Sequence, residues 1–277
     1  MNDEAAIRLG FFFGVLALMG VWEWLAPRRP LSTSRSRRWR ANLGIIAVAT
    51  AAVRLLIPVT AVGMALLAQQ RGWGLLNQVE PPYWLAVLIG VLVLDCVIYF
   101  QHVVFHTVPA LWRLHRMHHS DLDFDVTTGV RFHPIEIVLS MGIKLAAIAA
   151  LGPPALAVLV FEVALNAVTM FNHGNVQLPA AIDRVLRLFV VTPEMHRVHH
   201  SNLPHETNSN FGFSFPWWDR MFGTYRAQPE RGHLGMTIGL DAFRDPDTLG
   251  FGQLLVQHFR GEPGRYSINR RGGKDDS

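Results

Sequence analysis

The sequence has almost no cysteine and lacks several motifs that usually accompany redox or hydrolytic chemistry. Cys96 is the only cysteine among 277 residues, so an internal disulfide and a cysteine-built metal site are both excluded. Any metal must therefore be held by histidine or oxygen ligands. The absence of an H-E-x-x-H motif weakens a metalloprotease interpretation. No glycine-rich dinucleotide-binding fingerprint follows a predicted strand, and no segment resembles a haem-binding cytochrome domain.

Apolar residues, in contrast, are abundant. Half of the residues are hydrophobic and the mean hydropathy is +0.22, which is unusual for a soluble domain of this size. The net charge of +4 and the isoelectric point near 9.7 would suit nucleic-acid binding. Much of the positive charge, however, lies in one block at residues 28–40, beside an apolar segment. That placement is typical of a topology signal facing anionic lipid, so we expect no nucleic-acid partner.

Five apolar segments approach the length of about 20 residues that a helix needs to cross a bilayer. We interpret the first as an uncleaved transmembrane helix, and the second as kinked because Arg54 and Pro58 interrupt it. The fourth and fifth form a hairpin that turns at residues 152–154. Residues 179–191 are predicted to form a helix at the membrane interface. The five segments are residues 9–26, 42–68, 84–106, 134–151 and 155–173.

The positive-inside rule predicts how these segments are oriented. If the basic loop at residues 28–40 is cytoplasmic, the N-terminus lies outside and every histidine-rich segment faces the cytoplasm. The predicted fold is therefore an all-α integral membrane protein with about four to five transmembrane helices and a cytosolic histidine-rich helical cap. We divide it into N-terminal helices with the basic loop (1–83), a catalytic domain (84–225) and a C-terminal tail (226–277).

Histidine is unusually frequent, with 13 in the chain, and most of these residues are grouped. His102 and His106 are four residues apart, a spacing that places both on one helical face. Two H-x-x-H-H triplets follow about eighty residues apart, with a further histidine between them. Nine imidazoles exceed the needs of one metal and suit two, although imidazole serves iron, zinc and copper alike. The nine are His102, His106, His115, His118, His119, His173, His196, His199 and His200.

Polar residues near the histidines are candidates for orienting them. Asp95 lies on the stripe of His102 within a predicted span, where an ionisable residue is costly, and its carboxylate is expected to accept the free N–H of a metal-binding imidazole. Asn208 and Asn210 are expected to orient a water or an imidazole. We take Asp95 and Asn210 as candidate catalytic residues. The candidates for a supporting role or an extra ligand are His133, Glu162, Asn166 and Asn208.

The ordered set of histidine motifs resembles the membrane fatty acid hydroxylase/sterol desaturase superfamily. Supporting similarities are R-F-H-P-I-E at residues 131–136, N-H-G-N around His173, and the N-F-G and W-D-R-M-F-G-T-Y segments within residues 208–225. The resemblance covers residues 84–225 and implies a helical membrane fold with two iron ions, which zinc can replace in purified protein. Some members carry another histidine where this chain has Thr169. Either that metal has one ligand fewer, or His133 or water replaces it.

Members of this superfamily hydroxylate or desaturate fatty acyl chains, sterols, carotenoids or ether lipids with dioxygen and two electrons. The resemblance therefore implies a lipid substrate entering from the bilayer. It also implies a separate electron donor, either a ferredoxin or a b5-type cytochrome with its reductase. Two alternatives remain open from the residues: a di-zinc membrane hydrolase, and a metal-binding or metal-transport protein. The oligomeric state is not predicted.

Overall fold

The computed structural model describes residues 2–261, 266 and 268, and it is almost entirely helical. Among these residues, the sole β-type pairing is an isolated bridge between Ser201 and Ile238. Three short 3-10 turns supplement the α-helices, at Thr128–Val130, Pro246–Leu249 and Gln257–Phe259. The α-helices are α1 (Asn2–Leu25), α2 (Arg35–Leu56), α3 (Ala61–Arg71), α4 (Leu75–Val79), α5 (Tyr83–Thr107), α6 (Pro109–His119), α7 (Pro134–Leu151), α8 (Ala155–Asn172), α9 (Ala180–Leu186), α10 (Pro193–His199), α11 (Pro204–Thr207), α12 (Trp217–Met221), α13 (Gly232–Gly235) and α14 (Phe251–Val256).

Five helical stretches among the described residues are long and apolar enough to cross a membrane, which confirms the predicted multi-pass helical architecture. The kink predicted in the second stretch is a complete break. Helix α2 ends at Leu56 and α3 begins at Ala61, because Pro58 has no N–H to donate and its ring blocks the preceding turn. Thr60 starts α3 by accepting the Gly63 N–H at 2.9 Å. The five stretches are Glu4–Leu25, Arg35–Val79, Tyr83–Thr107, Pro134–Leu151 and Ala155–Asn172.

The spans pack around α7 and α8, which both contact α3 and α5. Helix α1 lies against α8, and α2 lies against α7. Small side chains on α3, such as Ala61 and Ala65, allow the close approach, and Leu94 and Phe161 fill the space around them. The predicted turn between α7 and α8 is present, with Gly152 in the left-handed conformation at φ +67°. This bundle holds the histidine-bearing ends of α5 and α8 in fixed positions.

One arginine of the basic block is buried within the protein. Helix α2 begins at Arg35, and Arg38 is only 5% exposed. Its guanidinium donates to both carboxylate oxygens of Asp121 at 2.8 Å and to Asp125 at 2.5 Å. Arg38 therefore pairs with two buried carboxylates within the protein, and the topology signal of the block as a whole stays a prediction. The block joins the membrane helices to the histidine-rich region.

Helix α9 is shorter than the predicted interfacial helix, but its two faces differ as expected. Asp183 is buried and accepts hydrogen bonds from Thr192 at 2.6 Å and from Arg187. The opposite side remains exposed and continues onto α12, where Trp217 donates its indole N–H to the Leu188 carbonyl at 2.6 Å. We call this exposed apolar surface the collar; it consists of Ile182, Val185, Leu188, Phe189, Trp217, Met221 and Phe222. A surface of this kind suits contact with lipid.

The described residues beyond Tyr225 pack back onto the helical body. The Gly239 N–H donates to the His200 carbonyl at 3.0 Å, and Arg116 donates to the Gln257 carbonyl at 2.9 Å. Asn208 donates its side-chain N–H to the Tyr266 carbonyl at 2.8 Å. The C-terminal region therefore contributes to enclosing the histidines.

Replacing Arg38 tests the buried ion-pair cluster. We expect Arg38→Met to lower the free energy of unfolding by about 3–5 kcal/mol, because Asp121 and Asp125 would remain buried without their cation. Arg40→Met is the matched control, since Arg40 is exposed on the same helix and should change stability by less than about 0.5 kcal/mol. Denaturant unfolding in detergent measures both. Equal stability of the two variants would contradict the proposed link between α2 and the histidine-rich region.

Candidate metal centre

The nine histidines singled out from the sequence meet at the ends of α5, α6, α8 and α10. All nine are at most 2% exposed. They form two adjacent groups, and within each group one ring nitrogen from every histidine lies within 4.8 Å of the others. The first cluster contains His102, His106, His115, His119 and His199. The second cluster contains His118, His173, His196 and His200.

Each H-x-x-H-H triplet serves both clusters. His115 and His119 are four residues apart and share the first cluster, whereas His118 turns toward the second. The other triplet is divided the opposite way: His196 and His200 share the second cluster and His199 joins the first. An α-helix has 3.6 residues per turn, so a residue four positions on is offset by about 40° to one side of the first, while a residue three positions on is offset by about 60° to the other side. The repeated spacing thus places two neighbouring groups of imidazoles side by side.

Backbone carbonyls fix the tautomer of three imidazoles. Nδ1 of His102 lies 2.8 Å from the Phe211 carbonyl oxygen, Nδ1 of His173 lies 2.7 Å from that of Thr169, and Nδ1 of His199 lies 2.7 Å from that of Ser209. A carbonyl oxygen can only accept, so each Nδ1 carries the proton and donates it. Nε2 of each ring is therefore left with a free lone pair.

Side chains fix two more imidazoles. Nδ1 of His115 lies 2.7 Å from Oε1 of Glu136, and Nδ1 of His106 lies 3.0 Å from Oδ1 of Asn208. The amide of Asn208 is oriented because its N–H group donates to the Tyr266 carbonyl. These contacts leave Nε2 of His106 and His115 as acceptors too, the arrangement expected of metal-binding histidines.

The lone pairs face one another at short range. Nε2 of His102 lies 3.0 Å from Nε2 of His115 and 3.1 Å from that of His199, and no proton is available to join them. Ligands at right angles around an ion, at about 2.1 Å from it, are about 3.0 Å apart. In addition, the buried Nε2 atoms of His106 and His200 have no hydrogen-bond partner among the described residues. A cation in each cluster satisfies all of these atoms, so the residues present fit two metal ions.

The imidazoles are in the form that binds metal. Burial lowers the pKa of His115 and of His173 to about 3. Burial also depresses the pKa of His118, His196 and His200 well below the ordinary value, and neighbouring histidines add to that effect. The rings are therefore neutral near pH 7, as coordination requires.

Comparison with known proteins agrees with this arrangement. The fatty acid hydroxylase family profile matches residues 87–224. The chain belongs to this family. It is 31% identical over 149 residues to ornithine lipid hydroxylase OlsE of Rhizobium tropici, covering 53% of this chain and 44% of that protein. It is 26% identical over 243 residues to alkylglycerol monooxygenase of Xenopus tropicalis, covering 84% and 50%.

A third relative is cholesterol 25-hydroxylase of Rattus norvegicus, 28% identical over 150 residues and covering 53% of this chain and 49% of the relative. The chain spans about half the length of these relatives. No solved structure matches the chain. Membership of the fatty acid hydroxylase family rests on the segment that contains all nine histidines.

In this member of the family, the closing N-F-G and W-D-R-M-F-G-T-Y segments position a histidine of the first cluster. Asp219 is fully buried and accepts the N–H groups of Phe211 at 2.7 Å and Gly212 at 2.9 Å. Its Oδ1 also accepts the Thr224 hydroxyl at 2.7 Å. Because the Phe211 carbonyl holds His102, Asp219 sets the position of that imidazole through the backbone. The two parts of the motif are thus one hydrogen-bonded unit.

Asp95 and Asn210, which were expected to act beside the imidazoles, lie elsewhere. Oδ2 of Asp95 accepts the Trp218 indole N–H at 2.8 Å, and no hydrogen bond among the described residues joins Asp95 to a histidine. Asn210 adopts a left-handed conformation at φ 52° and donates to the Met195 carbonyl at 2.9 Å. Asp95 therefore orients an indole, and Asn210 holds a tight turn, instead of orienting an imidazole.

The supporting candidates on α7 and α8 are also displaced from the clusters. His133 caps α7 by accepting the Ile135 N–H at 3.2 Å, so the expectation of an extra ligand is corrected. Glu162 pairs with Lys144 at 2.8 Å and Arg8 at 2.9 Å, and Asn166 donates to the Glu162 carbonyl. Glu162 shares the helical face of His173 but precedes it by eleven residues, which is about 16 Å along the axis. Of the four supporting candidates, only Asn208 hydrogen-bonds to one of the nine clustered imidazoles among the described residues.

Sequence reasoning missed Glu136. This residue lies in the first turn of α7, where the His133 cap fixes the start of the helix, and its carboxylate holds His115. The R-F-H-P-I-E segment contained the signal, because a glutamate three residues after a helix cap points back toward the helix start.

Thr169 occupies the position where some family members have another histidine. Its carbonyl holds His173, and its cluster has four histidines where the neighbouring cluster has five. Since His133 lies outside both clusters, the geometry favours a metal with one histidine fewer over replacement by His133.

Removing one histidine from a single cluster should affect a single ion. We expect His173→Ala to reduce the metal content from two ions per chain to about one, because only the second cluster loses a ligand. His258→Ala is the control, since His258 belongs to neither cluster, and it should keep both ions. Elemental analysis of purified protein measures this. Unchanged metal content in His173→Ala would contradict the division into two clusters.

Glu136→Gln tests the residue that the sequence analysis missed. The amide can still accept from His115 but has no charge, so we expect the first cluster to bind its metal about 10–100-fold more weakly. Asp95→Asn is the control, because Asp95 is another buried carboxylate and hydrogen-bonds to Trp218 and not to a histidine. This variant should bind metal with wild-type affinity. Competition with a chelator compares the two variants. Equal losses would show that Glu136 has no special role.

Proposed function

We propose that the chain is a membrane-bound non-haem di-iron oxygenase that hydroxylates or desaturates a lipid with dioxygen and two electrons. The observation that carries this proposal is the pair of adjacent, buried clusters of neutral imidazoles. Its relatives include an ornithine lipid hydroxylase, an alkylglycerol monooxygenase and a cholesterol 25-hydroxylase, which supports a lipid substrate. Attack on an unactivated C–H bond exceeds the chemistry of side chains, and two bound iron ions would supply the activation of oxygen.

The residues around the metal centre would have different roles. The first cluster would hold one iron with five histidines and the second would hold the other with four, leaving more room for an external ligand there. Glu136, Asn208 and three carbonyls keep Nδ1 of five rings protonated, so each of those five rings would present Nε2 to a metal. Burial of all nine rings excludes water from the centre. Asp95 and Asn210 would act as positioning residues through Trp218 and the turn at residue 210.

The lipid chain would reach the centre from the bilayer. The Phe213 ring centroid lies 4.9 Å from that of His102, and Phe213 packs against the core of the membrane helices. Phe132 stacks on His118 with centroids 4.3 Å apart. Apolar aromatic surface therefore adjoins both clusters on the side of the membrane core. The collar would rest on the lipid surface and hold this side toward the acyl chains.

The remaining proposals concern sidedness and electron supply. We place the centre on the cytoplasmic side, with the N-terminus outside, because the basic block packs beside the clusters. Electrons would come from a ferredoxin or a b5-type cytochrome with its reductase. Exposed arginines at positions 40, 184, 220 and 231 could attract an acidic donor. The N-terminal helices 1–83 would be needed by the catalytic region 84–225, because Arg38 pairs with Asp121.

Turnover with labelled oxygen tests the proposal. Iron-loaded protein in vesicles, supplied with reduced ferredoxin or cytochrome, would be offered an ornithine lipid, an alkylglycerol and a sterol in separate reactions. We expect one class to gain an oxygen atom from ¹⁸O₂ or to lose two hydrogens, and His173→Ala to abolish the product.

Zinc-loaded wild type is the matched control and should be inactive, because zinc has no redox chemistry. A hydrolysed lipid formed equally well with zinc would favour the di-zinc hydrolase. Metal carried across sealed vesicles, without lipid oxidation, would favour a transporter. Either result would contradict the oxygenase proposal.

A further inference from the structure

A third group of metal-binding side chains lies outside the nine-histidine centre. His205, Glu206 and Glu230 each place a ligand atom within 4.8 Å of the other two. Nε2 of His205 lies 3.2 Å from Oε2 of Glu230. The side chains of His205 and Glu230 are 49% and 62% exposed, so solvent and ions can reach them. Exposed acidic groups alone carry little weight, and the decisive member is Glu206.

Glu206 is fully buried, with 0% of its surface exposed. One of its carboxylate oxygens, Oε1, accepts the backbone N–H of Glu230. The other oxygen, Oε2, is buried and meets no hydrogen-bond donor among the described residues. A buried carboxylate oxygen without a partner is costly, and a bound cation is one of the few ways to satisfy it. Glu206 therefore gives an independent reason to place an ion between it and the two exposed ligands.

We propose that His205, Glu206 and Glu230 bind a third divalent ion of the zinc type, separate from the two ions of the histidine clusters. One imidazole and two carboxylates form a donor set that first-row transition ions accept, whereas calcium and magnesium prefer oxygen ligands alone. Three protein ligands leave a position for water. An open cavity of about 540 Å³ borders His205 and extends past Asn208 to Tyr225, which gives the ion a route from solvent.

This ion would support the first cluster through a short chain of contacts. The Glu206 carbonyl accepts the Ser209 N–H at 3.1 Å and its hydroxyl at 2.7 Å. The Ser209 carbonyl in turn holds His199, and neighbouring Asn208 holds His106. An ion bound to Glu206 and Glu230 would join this loop to a segment 24 residues further along the chain. The third site thus steadies the groups that orient two imidazoles of the first cluster.

Zinc titration of protein whose two histidine clusters are already filled tests the site. Wild type is expected to bind one additional, reversible equivalent of Zn²⁺. His205→Ala and Glu230→Gln should each lose that equivalent, and both residues are exposed, so folding should be retained. His258→Ala and Glu80→Gln are matched controls, because neither residue belongs to the group, and they should bind as wild type does. Absence of the extra equivalent in wild type, or its persistence in both ligand variants, would overturn the proposal.

The supporting role needs a separate measurement. Added Zn²⁺ should slow the release of metal from the first cluster to a chelator in wild type, and should have no such effect in Glu230→Gln. Equal slowing in both proteins would overturn the link between the third site and the first cluster. Neither measurement depends on lipid oxidation, so failure of the oxygenase proposal and failure of this one are distinguishable.

Discussion

The structure depends on one constraint: unprotonated Nε2 atoms of buried histidines point toward one another, and no proton is available to form a hydrogen bond between them. Carbonyls and side chains accept hydrogen bonds from the Nδ1 protons, so Nε2 of His102 faces Nε2 of His115 at 3.0 Å and Nε2 of His199 at 3.1 Å. Without a cation this arrangement is repulsive and leaves buried acceptors unsatisfied. The histidine centre therefore requires bound metal, whatever the substrate is. The surrounding structure holds those lone pairs in place.

That holding structure comes from every part of the chain. Arg38 on α2 fixes Asp121 directly after the first triplet, and Asp219 fixes the backbone whose carbonyl orients His102. Glu136 begins α7 and reaches back to His115. Buried charges in these positions are costly individually, but Arg38 and Asp121 are paired, and Asp219 and Glu136 are hydrogen-bonded, so removal of one partner would leave the other unsatisfied. The membrane helices therefore act as a rigid frame for the metal centre as well as an anchor in lipid.

The sequence predicted the elements whose signals are local. Apolar length located the spans. Spacings of three and four residues selected eight histidines, and the polar stripe before His173 added the ninth; the structure brings all nine together. The sequence could not predict how far along a helix axis a residue lies from the clusters, or which residues distant in sequence contact each other. Glu162 shares a face with His173 but lies far along the axis, and the surface role given to Arg38 ignored carboxylates 83 and 87 residues away. The division of each triplet between two clusters likewise depends on how α6 and α10 pack, which spacing alone leaves open.

A structure of the iron-loaded protein, with metals located by anomalous X-ray scattering, tests the central claim most directly. The account predicts two strong peaks at the histidine centre, one surrounded by His102, His106, His115, His119 and His199 and the other by His118, His173, His196 and His200. A single peak there, or two peaks whose ligands divide the triplets differently, would contradict it.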